Sequence, residues 1–158
     1  VRRRRGETPR DFLTVGGMGH ASSIALGIAL SRPLQRIICL DGDGAAIMHL
    51  GSMAVIGQLQ PRNFVHVVLN NRSHESVGGQ PTAACSMDFQ LLAKSLGYTK
   101  TMAVSDEKSL ALAFNNLDFT GPIFIEVKIL QGSRKNLGRP SSSPKENRDE
   151  FVSYLETL

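Results

Sequence analysis

Short apolar runs that favour strands alternate with longer helical runs along most of this chain. The strand candidates are "DFLTVG" (11–16), "QRIICLD" (35–41), "NFVHVVLN" (63–70), "YTKTMAV" (98–104) and "PIFIEVKIL" (122–130). Such alternation is typical of parallel sheets, because neighbouring parallel strands need a long crossover, usually a helix. We therefore predict an α/β fold, a doubly wound, mostly parallel sheet of about five to six strands with helices on both faces.

Helical spacing fills the intervals between these strands. The predicted helices cover 20–31, 45–60, 87–97, 105–117 and a final surface stretch from Lys145 onward. Proline ends the first two, and Ser105 is placed to cap the fourth. The "QRIICLD" run reads as a strand buried on both faces of the sheet.

The chain has 158 residues, of which 41% are apolar and 20% charged, as in an ordinary globular domain. No run approaches the ~18 apolar residues of a membrane span. Two cysteines are too few for a disulfide framework, so we expect a cytoplasmic setting. We predict a basic, disordered or linker end over 1–10, a ligand-binding domain over 11–131, and a polar loop and helix of the same domain over 132–158.

Four consecutive arginines, Arg2 to Arg5, supply much of the net charge of +4. Such a run can contact nucleic acid, but aromatic residues are not interleaved with it, and a solvated end is the favoured interpretation. We therefore expect neither nucleic acid nor a membrane as a partner.

Glycine-rich and polar segments follow three of the predicted strands. They are "GGMGH" (16–20), "DGDGA" (41–45) and "NNRSHESVGG" (70–79). Ligands of open parallel sheets bind outside the carboxyl ends of the strands. The chemistry should therefore lie in these three segments. A dinucleotide site or a P-loop is disfavoured, because neither glycine fingerprint is present.

Asp43 and Asn71 are separated by one predicted helix and one predicted strand, which returns them to the same edge of the sheet. Gly44 lets the backbone approach a ligand closely. One carboxylate and one amide cannot hold Mg²⁺ alone, and this ion commonly completes its octahedron with phosphate oxygens and water. The pattern indicates a metal that bridges the protein to a diphosphate, whereas the plainer alternative is a tight turn and a helix cap.

The "GDG" at 42–44 followed by "NN" at 70–71 resembles the motif of the thiamine-diphosphate enzymes. The resemblance implies thiamine diphosphate and Mg²⁺ as cofactors. Asp43 and Asn71 would be side-chain ligands of the metal, and the backbone carbonyl of Ser73 the third protein ligand. The residues that would receive the diphosphate are Gly42, Gly44 and Ala45.

The "GGMGH" segment resembles the loop that holds the aminopyrimidine ring in the same family. By this resemblance Gly16 offers its carbonyl to the amino group of the ring, with Gly17 beside it. Met18 would be the apolar residue that bends the cofactor into its V shape.

Longer stretches, "GGMGHASSIALGIAL", "ICLDGDGAAIMHLGSMAVIG", "NNRSHESVGGQPT" and "LGRPSSSP", resemble the phosphonopyruvate decarboxylases. The implied reaction splits 3-phosphonopyruvate into phosphonoacetaldehyde and CO₂. A sulfopyruvate decarboxylase subunit, or another 2-oxo acid decarboxylase or synthase of this family, is the close alternative. Arg72 departs from the pattern, because a glycine or another small residue is commoner there.

His74 and Glu75 follow the metal loop and are candidates for substrate contact or proton transfer, and His20 is a further candidate beside the glycine loop. The alternatives are a loop-ordering histidine and a solvated glutamate. The remaining histidines, His49 within a helix and His66 within a strand, have a structural interpretation. Arg134, Lys135 and Arg139 could attract the anionic phosphonate or sulfonate head of the substrate, although a solvated tail is favoured.

The glutamate that activates the cofactor belongs, in this family, to a second domain. The resemblance therefore implies a pyrimidine-binding domain, upstream in a longer chain or on a partner subunit. It also implies a homo-oligomer, at least a dimer. The isolated chain is expected to be inactive. A hypothesis of another class is a non-catalytic binding module that keeps the fold.

Overall fold

The computed structural model describes residues 8–138 and 140–158. The chain divides into two compact units, Met18–Gly132 and Val1–Gly17 with Ser133–Leu158. The arginine run at 2–5 and Arg139 lie outside the described residues, so what the sequence predicts for them stays a prediction. Each unit is described by itself below.

The unit Met18–Gly132 contains a four-stranded sheet in which every described pair of strands is parallel. Its strands are β1 (Ile37–Gly42), β2 (Phe64–Asn70), β3 (Lys100–Val104) and β4 (Ile123–Lys128). Their order across the sheet is β1-β2-β4-β3. The predicted α/β class with a parallel sheet is confirmed.

Helices connect these strands. They are α1 (Ala21–Ser31), α2 (Asp43–Met48), α3 (Gly51–Leu59), α4 (Phe89–Ser95) and α5 (Glu107–Asn115), with short 3₁₀ turns at Glu75–Val77 and Ala83–Ser86. The other unit contains α6 (Pro144–Glu156).

Two separate clusters of apolar side chains cover the two faces of the sheet, because successive strand residues point to opposite sides. One cluster joins Phe64, Val68 and Phe124 to side chains of α1, α3 and α4. The other joins the alternate strand residues, among them Val65 and Ile125, to α5. Helices therefore pack on both faces, as predicted.

The interpretation of the first sheet strand as buried on both faces is wrong. β1 lies at an edge of the sheet, and Ile38 and Leu40 are 48% and 56% exposed. Cys39 and Asp41, which point to the other face, are buried. The apolar run does form a strand. Its composition, however, does not tell whether other elements cover one face of that strand or both.

The predicted strand at 11–16 is also wrong, and the sheet has four strands among the described residues instead of about five to six. Within its own unit, the Leu13 N–H donates to Oδ1 of Asn147 and the Asp11 carbonyl accepts from Nδ2, both at 2.8 Å. The rings of Phe12 and Phe151 lie 5.4 Å apart. Asn147 thus binds two backbone groups of this segment, which lies against α6 and does not form a strand.

The single helix predicted over 45–60 is two helices, α2 and α3, with His49 and Leu50 between them. His49 adopts φ −127° and ψ 46°, which ends α2. Gly51, at the start of α3, also weakens a continuous helix at this point. The prediction that His49 lies within a helix is therefore wrong, since it lies between α2 and α3.

Capping side chains define the starts of the later helices. The predicted cap of α5 is displaced by one residue, because Asp106, not Ser105, accepts the Ser109 N–H, at 2.9 Å. These hydrogen bonds hold the pKa of the Asp106 carboxyl below its usual value. The final predicted helix is confirmed, and Ser143 and Glu146 form a reciprocal capping box at its start.

In the described residues, no helix combines the length and the apolar character that crossing a membrane requires.

Two glycines of the sheet unit offer a matched test of the packing. A Cβ added at Gly57 in α3 would lie 1.7 Å from the Leu96 carbonyl oxygen, whereas one at Gly27 in α1 meets nothing within 4 Å. We expect Gly57→Ala to lower the free energy of unfolding by about 1–3 kcal/mol or more. Gly27→Ala should raise it by about 0.5–1 kcal/mol, because alanine favours the helix. Equal effects in urea denaturation would contradict this packing.

Candidate functional site

Asp43 and Asn71 lie at the same edge of the sheet, the one formed by the carboxyl ends of the strands, because β1 and β2 are parallel neighbours. Gly42 and Leu69 are partners in the parallel register of β1 and β2. Asp43 follows Gly42 directly as the first residue of α2, and Asn71 is two residues beyond Leu69. The sequence prediction that the topology returns these two residues to one edge therefore agrees with the fold.

The Asp43 carboxylate is buried, with 2% of the residue exposed. Its Oδ2 accepts a hydrogen bond from the Thr82 hydroxyl at 2.5 Å. Among the described side chains, no lysine, arginine or histidine forms an ion pair with it. A buried ionised carboxylate with only a neutral partner lacks charge compensation. The site therefore fits a bound cation, and carboxylate and amide oxygens are ligands that Mg²⁺ accepts.

The loop after β2 is held by its two asparagines. Asn71 Oδ1 accepts the Ser73 N–H at 3.0 Å, and Asn70 Oδ1 accepts the Arg72 N–H at 3.1 Å. Arg72 has φ 60°, the left-handed conformation that glycine adopts without strain. The departure from the family pattern therefore retains the turn that a glycine would make. Because an amide oxygen has two lone pairs, Asn71 could also bind a metal.

Ser73 is buried and forms an isolated antiparallel bridge with Pro81. Its neighbour His74 donates its N–H to the Gln80 carbonyl at 2.8 Å, and the His74 carbonyl accepts from Val77. This tight loop fixes the backbone that would present the Ser73 carbonyl to a metal.

His74 packs against the first turn of α2. A Cβ added at Gly44 would lie 2.5 Å from both Nδ1 and Cε1 of the His74 ring. Gly44 is therefore required for this close approach, and the imidazole lies beside the turn that carries Asp43. Glu75 is arranged differently, since it is exposed and its Oε1 accepts the Gly132 N–H just beyond β4.

The "MGH" part of the glycine-rich loop, residues 18–20, lies against the same helix. Gly19 is buried at φ 85°, and a Cβ there would lie 2.6 Å from the Ala45 carbonyl oxygen. His20 is exposed and its ring lies against that of His49, with 4.1 Å between centroids. Met18 is 38% exposed. The structure therefore brings parts of all three predicted segments together at the start of α2, and it adds His49 to them.

Gly16 and Gly17 belong to the other compact unit. Gly16 has φ 76° and is exposed, and Gly17 is half-buried. In that same unit Arg134 and Lys135 are exposed, and the Arg134 carbonyl accepts the Leu137 N–H at 3.2 Å.

Thr82, Gly19 and Asp41 lie at this end of the sheet and have no predicted role of their own, and His66 in β2 has only a structural one. Gly19 lies within "GGMGH", Asp41 begins "DGDGA", and Thr82 ends "NNRSHESVGGQPT". The sequence offered two signals, a second acid, Asp41, next to the "GDG" motif and a hydroxyl, that of Thr82, after the loop. Neither signal tells which group the side chain contacts in the fold.

A parallel α/β sheet with a buried, uncompensated carboxylate and an amide at the carboxyl ends of its strands, between glycine-rich loops, has the features that fit an anionic cofactor bound through a metal. The family model of the thiamine pyrophosphate enzymes, C-terminal TPP binding domain, matches residues 2–127. The chain belongs to this family, and thiamine pyrophosphate is the same molecule as thiamine diphosphate.

Curated relatives and solved structures agree with this family. The chain is 39% identical over 148 residues to a phosphonopyruvate decarboxylase of Streptomyces viridochromogenes, covering 92% of this chain and 37% of that protein. It is 36% identical over 130 residues to the sulfopyruvate decarboxylase subunit beta of Methanothermobacter thermautotrophicus, covering 80% and 66%. A thiamine diphosphate-dependent 4-hydroxybenzoylformate decarboxylase of Rhodococcus jostii has the same fold, with a TM-score of 0.64, 24% identity, and 75% and 24% coverage. The chain thus spans little more than a third of the phosphonopyruvate decarboxylase it matches.

The two cysteines should differ sharply in reactivity. Burial, and secondarily the charge of Asp41, raise the pKa of the Cys39 thiol to about 12, whereas Cys85 is exposed. Because the thiolate is the reactive form, a disulfide reagent at pH 8 should modify one thiol per folded chain and both in denaturant. Cys85→Ser should abolish the reaction of the folded protein. Equal rates at both thiols in the folded state would contradict the burial of Cys39.

Proposed function

We propose that this chain supplies the diphosphate-binding half of a decarboxylase that requires thiamine diphosphate and Mg²⁺. Its reaction would convert 3-phosphonopyruvate to phosphonoacetaldehyde and CO₂. The observation that carries the proposal is the buried Asp43 carboxylate, for which the Thr82 hydroxyl is the one hydrogen-bond donor among the described side chains. Membership of the thiamine pyrophosphate family and the likeness to a phosphonopyruvate decarboxylase support it.

Asp43, Asn71 and the Ser73 carbonyl would hold the Mg²⁺ ion, and the backbone of Gly42, Gly44 and Ala45 would face the diphosphate. When bound, the cofactor supplies the stabilisation of negative charge that loss of CO₂ requires, and the protein supplies binding and orientation. The pairing of Asp43 with Thr82 leaves the other carboxylate oxygen to meet the metal. Gly16, Gly17 and Met18 would contact the pyrimidine part of the cofactor.

Proton transfer is assigned to the histidines. His74 is the leading candidate, because its ring is fixed against Gly44 beside the proposed diphosphate site. His20 is the second candidate, and its contact with His49 gives it a polar neighbour. Glu75 would act on the substrate less directly, because its carboxylate accepts the backbone N–H of Gly132.

A pyrimidine-binding domain must complete the site, either upstream in a longer chain or on a partner subunit. The partial coverage of the curated relatives supports this requirement, and so does the fact that one of them is a subunit beta. We further propose a homo-oligomeric, cytoplasmic enzyme whose substrate carries an anionic phosphonate or sulfonate head.

Sulfopyruvate is the second candidate substrate. The chain covers 66% of the sulfopyruvate decarboxylase subunit at 36% identity, against 37% of the phosphonopyruvate decarboxylase at 39%. The slightly higher identity favours the phosphonate, and the likeness to the sulfopyruvate decarboxylase subunit keeps the sulfonate as the second candidate. The two substrates share the 2-oxo acid and differ in the head group.

Calorimetry on the complete protein, this chain with its pyrimidine-binding half, tests the cofactor assignment. Thiamine diphosphate should bind only with Mg²⁺ present. Asp43→Ala should abolish this binding, and Asp43→Asn should weaken it at least about 100-fold, because each removes the charge that compensates the metal. Asp88→Ala, which removes an exposed carboxylate that caps α4, is the matched control and should bind normally. Metal-independent uptake, or no uptake by the wild type, would favour a non-catalytic module.

Turnover of the two keto acids by the complete protein tests the substrate. We expect kcat/KM for 3-phosphonopyruvate to exceed that for sulfopyruvate by at least about tenfold, the discrimination that about 1.4 kcal/mol of differential binding gives. The released aldehyde and CO₂ report the rate. A preference for the sulfonate would refute the phosphonate assignment and leave the cofactor assignment intact.

A further inference from the structure

A chain of buried polar groups runs through the sheet to the turn that carries Asp43. Tyr98, His66 and Asp41 are 3%, 0% and 6% exposed. The Tyr98 hydroxyl and Nδ1 of His66 are 3.0 Å apart, and Nε2 of His66 lies 3.5 Å from Oδ2 of Asp41. Oδ1 of Asp41 accepts the Gly42 N–H at 3.1 Å.

The chemistry of the groups gives this chain a direction. Burial, with the nearby Cys39 and Asp41, raises the pKa of Tyr98, so its hydroxyl stays protonated and can donate to Nδ1 of His66. The ring proton of a neutral imidazole then lies on Nε2, which faces Asp41. An ionised carboxylate only accepts hydrogen bonds, so the polarity runs from Tyr98 through His66 to Asp41.

Nε2 of His66 and Oδ2 of Asp41 have no hydrogen-bond partner in the described part of the chain, and their 3.5 Å contact with each other is the polar contact that each one has. These two atoms therefore depend on each other, because a buried polar atom without a partner is unfavourable. This contact is connected to the proposed metal ligand, because Asp41 accepts the N–H of Gly42 and Gly42 directly precedes Asp43.

We propose that His66 is a positioning residue for the metal ligand Asp43, and that it acts through Asp41 and the Gly42 amide. This inference rests on the proposed function of the site. His66 touches neither the cofactor nor the substrate. Its role is to orient the Asp41 carboxylate, which fixes the direction in which the chain leaves β1 and enters α2.

A second metal ion is the competing interpretation of the same atoms. One ligand atom each from Cys39, Asp41 and His66 lies within 4.8 Å of the others. The Cys39 thiol, with a pKa of about 12, is protonated at neutral pH and binds a metal only after it loses that proton. The ion-free interpretation is therefore preferred, and measurement of bound metal distinguishes the two.

The test compares two amide substitutions at His66 in the complete protein. The glutamine of His66→Gln can place a donor near the position of Nε2 and keep the contact with Asp41. The shorter asparagine of His66→Asn matches Nδ1 and loses that contact. Because both variants bury one neutral amide, their effects on stability should be similar, and thermal unfolding of the cofactor-free protein checks this.

Mg²⁺-dependent affinity for thiamine diphosphate is the first readout. We expect His66→Asn to weaken it about 10–100-fold, the usual effect of removing a group that orients a metal ligand. His66→Gln should remain within about threefold of the wild type. Equal affinity of the two variants, or wild-type affinity of His66→Asn, would overturn the proposal.

Hydrogen exchange at Gly42 is the second readout, and it does not need the cofactor. We expect faster exchange of this amide in His66→Asn than in His66→Gln or the wild type, and identical rates would overturn the proposal. A wild type that does not bind thiamine diphosphate would refute the proposed function, while the exchange rates would still test the link from His66 to the turn. Stoichiometric zinc or another transition metal, lost in Cys39→Ala, would also overturn it.

Discussion

The parallel pairing of β1 with β2 is the constraint on which the rest of the site depends. Gly42 and Leu69 are paired in register, so the residues that follow them emerge at one level of the sheet. The intervening chain forms two helices, α2 and α3, and the strand β2, and it returns from Asp43 to Asn71 at the same end of the sheet. A shift of this register by one residue would turn every side chain of β1 to the opposite face. The buried Cys39 and Asp41 would then exchange places with the exposed Ile38 and Leu40.

One face of the sheet changes character from its centre towards this edge. Phe64 and Phe124 belong to an apolar cluster, whereas farther along the same two strands His66 and Glu126 are buried and polar. Glu126 accepts a hydrogen bond from the side chain of Asn70 at 2.7 Å, and His66 contacts Tyr98 and Asp41. Hydrogen bonds between buried polar groups, here Asn70 with Glu126 and Tyr98 with His66, specify one arrangement of these side chains. The carboxyl end of the sheet therefore combines low solvent access with fixed side-chain directions.

The sequence predicted most of this architecture, because strand and helix periodicities are local properties. Residues 63–70 and 122–130 are mostly apolar runs with a few polar residues, and they form the two central strands. The failures concern partners that are distant in sequence. Residues 11–16 have the composition of a strand, but two of their backbone groups bind the side chain of Asn147. The "DGDG" and "NN" segments could be brought to one edge by topology alone, whereas the hydroxyl of Thr82 and the imidazole of His66 depend on tertiary contacts that spacing does not encode.

Arg72 shows how the conformation of a loop can be maintained without the residue that suits it best. A side chain at φ 60° costs roughly 1–2 kcal/mol relative to glycine. Such strain persists only where the surroundings determine the backbone, and here the side-chain oxygens of Asn70 and Asn71 accept the N–H groups of Arg72 and Ser73. The two asparagines therefore hold the loop in a conformation that arginine does not favour by itself. The residue at position 72 and its charge can vary while these hydrogen bonds remain, whereas a change of Asn70 or Asn71 would release the loop.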